Sequence, residues 1–145
     1  MINIDGSTDP FYRYQMDEVI VKVEGSGKMI KTLILNLDKI AKQIDRPAKY
    51  ILAYIAFEIG VSYKCDGDKS YIGSEQTKLQ VQNHINKFIN NFILCKYCNN
   101  PETKPLVEGS KKNTLLKLNC ASCGNQSLID SNHKVIKTMI IDLSK

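Results

Sequence analysis

Two pairs of cysteines offer the clearest chemistry in this chain. Cys95 and Cys98 flank Lys96-Tyr97, Cys120 and Cys123 flank Ala121-Ser122, and 21 residues separate the pairs. A C-x-x-C turn presents two sulfurs from one knuckle, and two knuckles complete a tetrahedron around a soft cation such as Zn²⁺. Four thiolates leave no open coordination position, so the expected site is structural and does not activate water. Gly124 follows the second pair, where a tight knuckle calls for positive φ. Two disulfides, or one redox-active pair, are the competing readings. The matched spacing and the lack of an apolar leader segment favour one structural zinc. Zinc also accounts for how residues 92–145 fold, because so short a segment builds little core of its own.

A second candidate lies near the N-terminus. The stretch "DPFYRYQM" sets Arg13 between Tyr12 and Tyr14, just after Phe11. Of 20 basic residues 18 are lysine, and Arg13 and Arg46 are the two arginines. A guanidinium is a planar fork suited to phosphoryl oxygens, whereas a lysine is a point charge. The plainer reading is a solvated arginine on a first strand, and spacing alone does not separate the two.

Other motifs carry less. Gly25-Ser26-Gly27-Lys28 looks like part of a phosphate loop, but Met29 replaces the required Ser/Thr and a strand follows instead of a helix. Nucleotide binding by this chain alone is therefore not expected. The turn at Arg46-Pro47 suggests a helix-turn-helix, yet "YILAYIAF" would bury the side chains a recognition helix must show. No Ser-His-Asp, Cys-His or paired-carboxylate arrangement stands out, so a stand-alone enzyme is not expected. Cys65 reads as a small apolar residue in a strand, and His84 and His133 read as structural or surface residues.

The elements that must position these groups follow from periodicity. Residues 1–10 read as a flexible tail. Alternation in "VIVKVEG" and the run "IKTLILN" predict two strands joined by a hairpin tip at Gly25–Lys28. Asn36 is placed to cap a helix whose Leu37, Ile40, Ala41 and Ile44 follow helical spacing. Pro47 opens a second, nearly all-apolar helix that stops at Gly60. "SYKCDGDKSYIGS" predicts another hairpin turning near Asp66-Gly67-Asp68. A long helix over 75–91 leads into Cys95. Beyond it, "TLLKLNC" and "HKVIKTMIIDL" read as strands, with Pro101–Lys112 as a loop. The expected architecture is α+β: a mixed core domain over 11–91, then a small all-β, four-cysteine zinc ribbon over 92–145.

Composition sets bounds on these readings. The chain has 145 residues, 43% of them hydrophobic, and a net charge of +5. Residues 92–145 carry 8 Lys+Arg against 4 Asp+Glu, while residues 1–91 are nearly balanced. That asymmetry suggests a polyanion near the C-terminal part, a signal that bound thiolate–zinc would weaken by leaving the module only mildly basic. No run approaches the roughly 20 apolar residues of a membrane span, so a cytoplasmic, monomeric protein with no membrane partner is expected.

Taken together, "DPFYRYQM", "VIVKVEGSGKMIKTLILNLDKIAKQIDRP", "AFEIG", "NKFINNFILCKYCNNPET", "CASCG" and "LIDSNHK" resemble the N-terminal domain of eukaryotic translation initiation factor five. The resemblance spans about residues 11–134. A sister family, the beta subunit of initiation factor two, shares the fold and ribbon but is not expected to carry the FYRY arm. The resemblance implies a core fold like that of initiation factor one. It also implies a GTPase-activating role toward initiation factor two, whose gamma subunit holds GTP and initiator tRNA on the small ribosomal subunit. The family's arginine finger falls on Arg13, between Tyr12 and Tyr14. Its hairpin, matching Gly25, Gly27, Lys28 and Lys31, is implied to touch initiator tRNA. The chain departs from the family pattern at Met29, in place of a tip glycine, and at Ala53, in place of a lysine. Other roles compatible with the residues are a non-catalytic module resembling the factor-two beta subunit, an RNA-binding module of the initiation complex, and a general nucleic-acid ribbon.

Overall fold

Helix α2 (Ala48–Ile59) is the centre of the molecule. Every side chain from Tyr50 to Ala56 is buried. A helix apolar nearly all round must be covered on most sides, and α2 packs against α1 (Leu37–Ile44), α3 (Lys78–Phe92), α4 (Val135–Leu143) and the hairpin β5 (Tyr63–Asp66) and β6 (Lys69–Ile72). Gly60 ends α2 at φ 84. The computed structural model describes residues 2–4, 6–66, 69–109, 115–129 and 135–143. The expected turn at Gly67-Asp68, His133 and the far end of the 101–112 segment lie outside those residues.

Strand β3 (Val21–Glu24) pairs antiparallel with β4 (Lys31–Ile34), and β4 pairs with β6, giving the order β3-β4-β6-β5. The helical stripe Leu37, Ile40, Ala41 and Ile44 is buried as its spacing predicts. Asn36, expected as the cap of α1, does not cap it. Its amide accepts the Ile20 N–H at 2.9 Å and donates to the Glu18 carbonyl at 2.7 Å, and so binds the backbone just before β3. The long helix begins at Lys78 rather than 75. The cap is Thr77, whose hydroxyl accepts the Gln80 N–H while the Gln80 side chain accepts the Thr77 N–H.

Four expectations are corrected. Residues 2–3 form β1 (Ile2–Asn3), paired with β2 (Gln15–Met16), and Ile4 is buried, so the start of the chain is not a free tail. The segment read as a loop contains β7 (Thr103–Glu108). Pro105 is tolerated there because β7 is an edge strand of the sheet it forms with β8 (Leu115–Cys120) and β9 (Gln126–Leu128). "VIKTMIIDL" is helix α4, not a strand, so the C-terminal part is a three-stranded sheet plus a helix. Val135 and Met139 are buried and Ile136 and Ile140 half-buried, a stripe of period four that β-branched content had disguised. Cys65, expected as a small apolar residue in a strand, does lie in β5 but is exposed.

The apolar core runs without a break from Ile40, Ile55 and Phe88 to Leu116, Leu118, Val135 and Met139. Arg46 fastens this junction. The residue is only 4% exposed and lies at the turn between α1 and α2. It donates to the carbonyls of Asp45 (2.9 Å) and Thr103 (2.8 Å) and to the Thr103 hydroxyl (2.9 Å). That hydroxyl in turn donates to the Ile93 carbonyl at the end of α3. Burial brings Arg46 down to about 10, so it is still charged at neutral pH. Arg46→Ala is expected to cost about 2–4 kcal/mol in a denaturant titration, because it strands buried carbonyls as well as removing a charge-assisted bond. Arg46→Lys is expected to recover less than half of that, since one ammonium cannot serve all three acceptors.

Candidate metal centre and arginine loop

The two C-x-x-C turns are built alike, bond for bond. In the first, the Cys95 N–H donates to the Asn100 carbonyl (3.0 Å) and the Asn99 N–H to the Cys95 carbonyl (2.9 Å). In the second, the Cys120 N–H donates to the Asn125 carbonyl (3.0 Å) and the Gly124 N–H to the Cys120 carbonyl (2.9 Å). The residue after each pair is left-handed: Asn99 at φ 61 and Gly124 at φ 75. Asparagine is among the few side-chain residues that enter this region at low cost. The Asn100 side chain donates to the Ser122 hydroxyl at 2.8 Å and joins the knuckles.

The four sulfurs lie within 4.8 Å of one another, with Cys95–Cys123 and Cys98–Cys120 each at 3.6 Å. A tetrahedral ion with bonds of about 2.3 Å needs sulfurs about 3.8 Å apart, so the set fits one. The Tyr97 N–H (3.4 Å) and the Asn125 side-chain amide (3.5 Å) point at Cys95 and Cys123 sulfurs. Such donors stabilise thiolate ligands. The sulfurs do not ionise as equals on their own. The Asn125 backbone N–H brings Cys123 down to about 7. Cys98 is lowered by the Asn100 N–H, yet burial and the hydrogen bonds it shares with the other sulfurs push it up to about 12. A divalent cation is what allows all four to be thiolates together.

Arg13 lies on a braced loop that Tyr14 ties to Glu102, near the first knuckle. The β1–β2 pair closes the loop, and the Ile4 N–H donates to the Tyr14 carbonyl at 3.0 Å. Inside it, the Asn3 side chain donates to the carbonyls of Ser7 (3.1 Å) and Asp9 (2.7 Å). The Asp9 carboxylate accepts the Phe11 N–H at 3.0 Å. The aromatic residues divide by exposure. Tyr12 and Tyr14 are half-buried and meet edge-to-face at 5.8 Å, while Phe11 is 92% exposed. The Arg13 guanidinium is exposed, 5.7 Å from the Tyr14 ring centre. The Tyr14 hydroxyl donates to Glu102 at 2.6 Å, just past the first knuckle, and this bond raises the tyrosine above its usual pKa. Sequence reasoning missed Asn3, Asp9 and Glu102, since contacts such as Tyr14–Glu102 leave no periodic trace.

The third candidate is the hairpin tip, at the far ends of β3 and β4. Gly25 (φ 81) cannot carry a side chain, because a Cβ would stand 2.3 Å from the Met29 carbonyl oxygen. Gly27 supplies the other positive φ (57), and Gly27–Met29 form one 3-10 turn. Met29 is therefore accommodated in the tip without positive φ and is 79% exposed. Lys28 is exposed at the tip. Lys31 is partly committed elsewhere, its ammonium 4.5 Å above the Tyr71 ring. Lys22 is 3.6 Å from Glu24. Ala53 is fully buried in α2. No helix among the described residues is long and apolar enough to cross a membrane.

Comparison with known proteins places this geometry. A family model for a domain found in initiation factors 2B and 5 matches residues 5–126. Eukaryotic translation initiation factor 5 of Saccharomyces cerevisiae is 40% identical over 129 residues, which is 88% of this chain and 31% of the yeast protein. The factor of the same name from Dictyostelium discoideum is 36% identical over 132 residues, 91% of this chain and 33% of that protein. The Mus musculus factor is 36% identical over 137 residues, 92% and 32% of the two chains. The chain thus spans about a third of the length of these relatives. With its α+β core, its paired cysteine knuckles and its match across nearly the whole length, the chain belongs to this initiation-factor domain family.

Proposed function

We propose that this chain acts in translation initiation as the activator of a partner GTPase, the gamma subunit of initiation factor two, by supplying Arg13 in trans. It is not a GTPase itself. The observation that carries the reading is the contrast between the two arginines. Arg46 is buried and spent on structure, whereas Arg13 is exposed on a loop held by at least four hydrogen bonds. In GTP hydrolysis, negative charge spreads over the transferring phosphoryl group and the leaving oxygen. A guanidinium placed there in fixed geometry stabilises that charge. A braced loop costs less ordering entropy on docking than a free tail. Phe11 beside it offers an exposed ring for a partner's apolar pocket. The test is GTP hydrolysis by the partner complex with wild-type and Arg13-substituted protein.

The cysteine site is proposed to hold one Zn²⁺ through Cys95, Cys98, Cys120 and Cys123. Bound there, zinc has no free position and acts structurally, by fixing the knuckles and β8.

A second, compatible reading concerns the tip, where exposed Lys28 beside two glycines favours contact with RNA phosphate, in particular initiator tRNA on the small ribosomal subunit. Lys28→Ala is expected to lower the slope of log K against log salt for binding to small-subunit complexes by about one unit. Adding Lys31→Ala should have a smaller further effect, because that ammonium already lies over Tyr71. A slope unchanged in both variants would make the tip a protein contact or a plain surface feature.

A further inference from the structure

We propose that Glu102 is a positioning residue for Arg13, so that presentation of the arginine depends on the state of the cysteine centre. This rests on the reading of Arg13 given above.

Tyr14, directly after Arg13, reaches across to the metal-binding half of the molecule. Beneath it lies a cleft of about 360 Å³, with Ile4 and Tyr14 on one side and Pro101, Glu102 and Asn119 on the other. The loop therefore does not rest on the ribbon along its length. It is tied across an open gap by the Tyr14 hydroxyl and the Glu102 carboxylate, 2.6 Å apart. A hydroxyl–carboxylate bond of this length is charge-assisted and directional, suited to fixing a ring. The ring it fixes is the one the Arg13 guanidinium lies over.

Glu102 is in turn held by both knuckles. Its carbonyl accepts the Ala121 N–H at 2.8 Å, inside the second C-x-x-C turn. Two residues before it, Asn100 closes the first turn through the Cys95 N–H and reaches Ser122 in the second. Its neighbour Thr103 is pinned by Arg46. The carboxylate keeps its place only while the two knuckles keep their mutual arrangement, which is what a shared cation enforces. The outer half of the loop has its own brace in Asn3 and Asp9. Releasing Glu102 should thus free the Arg13-Tyr14 stretch without unravelling the whole loop.

The chain allows a clean test, because Arg13 and Arg46 are its two arginines and Arg46 is buried and followed by proline. An arginine-specific endoprotease should cut native protein after Arg13, at a rate set by local opening. With Glu102→Ala, cleavage is expected to rise roughly 3- to 10-fold, with metal content per chain unchanged. Single-turnover GTP hydrolysis at saturating protein should fall by a similar factor, while the half-saturating concentration stays the same. Tyr14→Phe should reproduce both effects, and the double variant should be no worse than either single one. Glu102→Gln keeps an acceptor oxygen and should restore most of both. Stripping the metal with a chelator should raise cleavage at least as much as Glu102→Ala. Unchanged cleavage in Glu102→Ala overturns the tie. Raised cleavage with unchanged hydrolysis, where Arg13→Ala does slow hydrolysis, overturns the positioning role. If Arg13→Ala itself leaves hydrolysis unchanged, the reading beneath the proposal fails and takes the proposal with it. Cleavage rates that still rise would tell that failure from the absence of a tie.

Discussion

Arg13→Ala is expected to slow GTP hydrolysis in the partner complex by about a thousandfold or somewhat less, with binding nearly intact. Arginine fingers contribute about 10³–10⁵-fold, or roughly 4–7 kcal/mol at about 1.4 kcal/mol per decade. The low end is expected because other parts of an initiation complex also bear on the nucleotide site. The loss should fall on the rate at saturation, since the guanidinium meets its full countercharge only in the transition state. Arg13→Lys should recover little, because a single ammonium cannot offer two donors in a plane. Exposure makes the contrast sharp. Arg13 has its guanidinium in solvent, touching its own chain chiefly over Tyr14, so removing it should cost the fold less than about 0.5 kcal/mol. A large kinetic effect with an unchanged fold is what a residue used by a partner produces.

The second large effect is expected at the cysteines. Cys120→Ser should lower stability by at least about 3 kcal/mol, the scale of losing a structural metal ligand. The damage should not stay local. Cys120 ends β8, and Leu116 and Leu118 of the same strand enter the continuous apolar core. The opposite strand begins at Thr103, the residue that Arg46 grips. Loosening the knuckles therefore reaches the shared core through β8 and the α1–α2 turn through Thr103 and Arg46. Elemental analysis should find one zinc per chain in freshly purified wild type, and a chelator should lower the midpoint of thermal unfolding. Well under one metal per chain, or disulfides among Cys95, Cys98, Cys120 and Cys123 by mass spectrometry, would contradict the assignment.

What was legible in the sequence had a local signature. The stripe of α1, the nearly all-apolar α2, the two hairpins and the paired cysteines each repeat at a period or spacing that one window contains. The misreadings have physical causes of the opposite kind. β1 is two residues long and exists only because β2 pairs with it across the arginine loop. β7 contains a proline that would exclude it from a sheet interior, and only its place at the edge admits it. α4 is rich in β-branched residues, and its packing against α2 overrides that propensity. The same holds for function. Arg13 and the cysteines announce themselves by type and company. Glu102 is an ordinary exposed glutamate until the fold brings Tyr14 to it, and Arg46 looked like the peer of Arg13 until burial separated them.

The most direct test of the central claim is single-turnover GTP hydrolysis by the initiation-factor-two ternary complex on small ribosomal subunits, with wild type, Arg13→Ala and Arg13→Lys each at saturating concentration. Saturation matters because the chain spans about a third of its relatives, so weak docking must not be mistaken for slow chemistry. The account predicts fast hydrolysis with wild type and a loss of two to three orders of magnitude in both variants, at similar half-saturating concentrations. Equal rates for all three proteins would contradict it and leave a structural, non-catalytic module of the initiation complex.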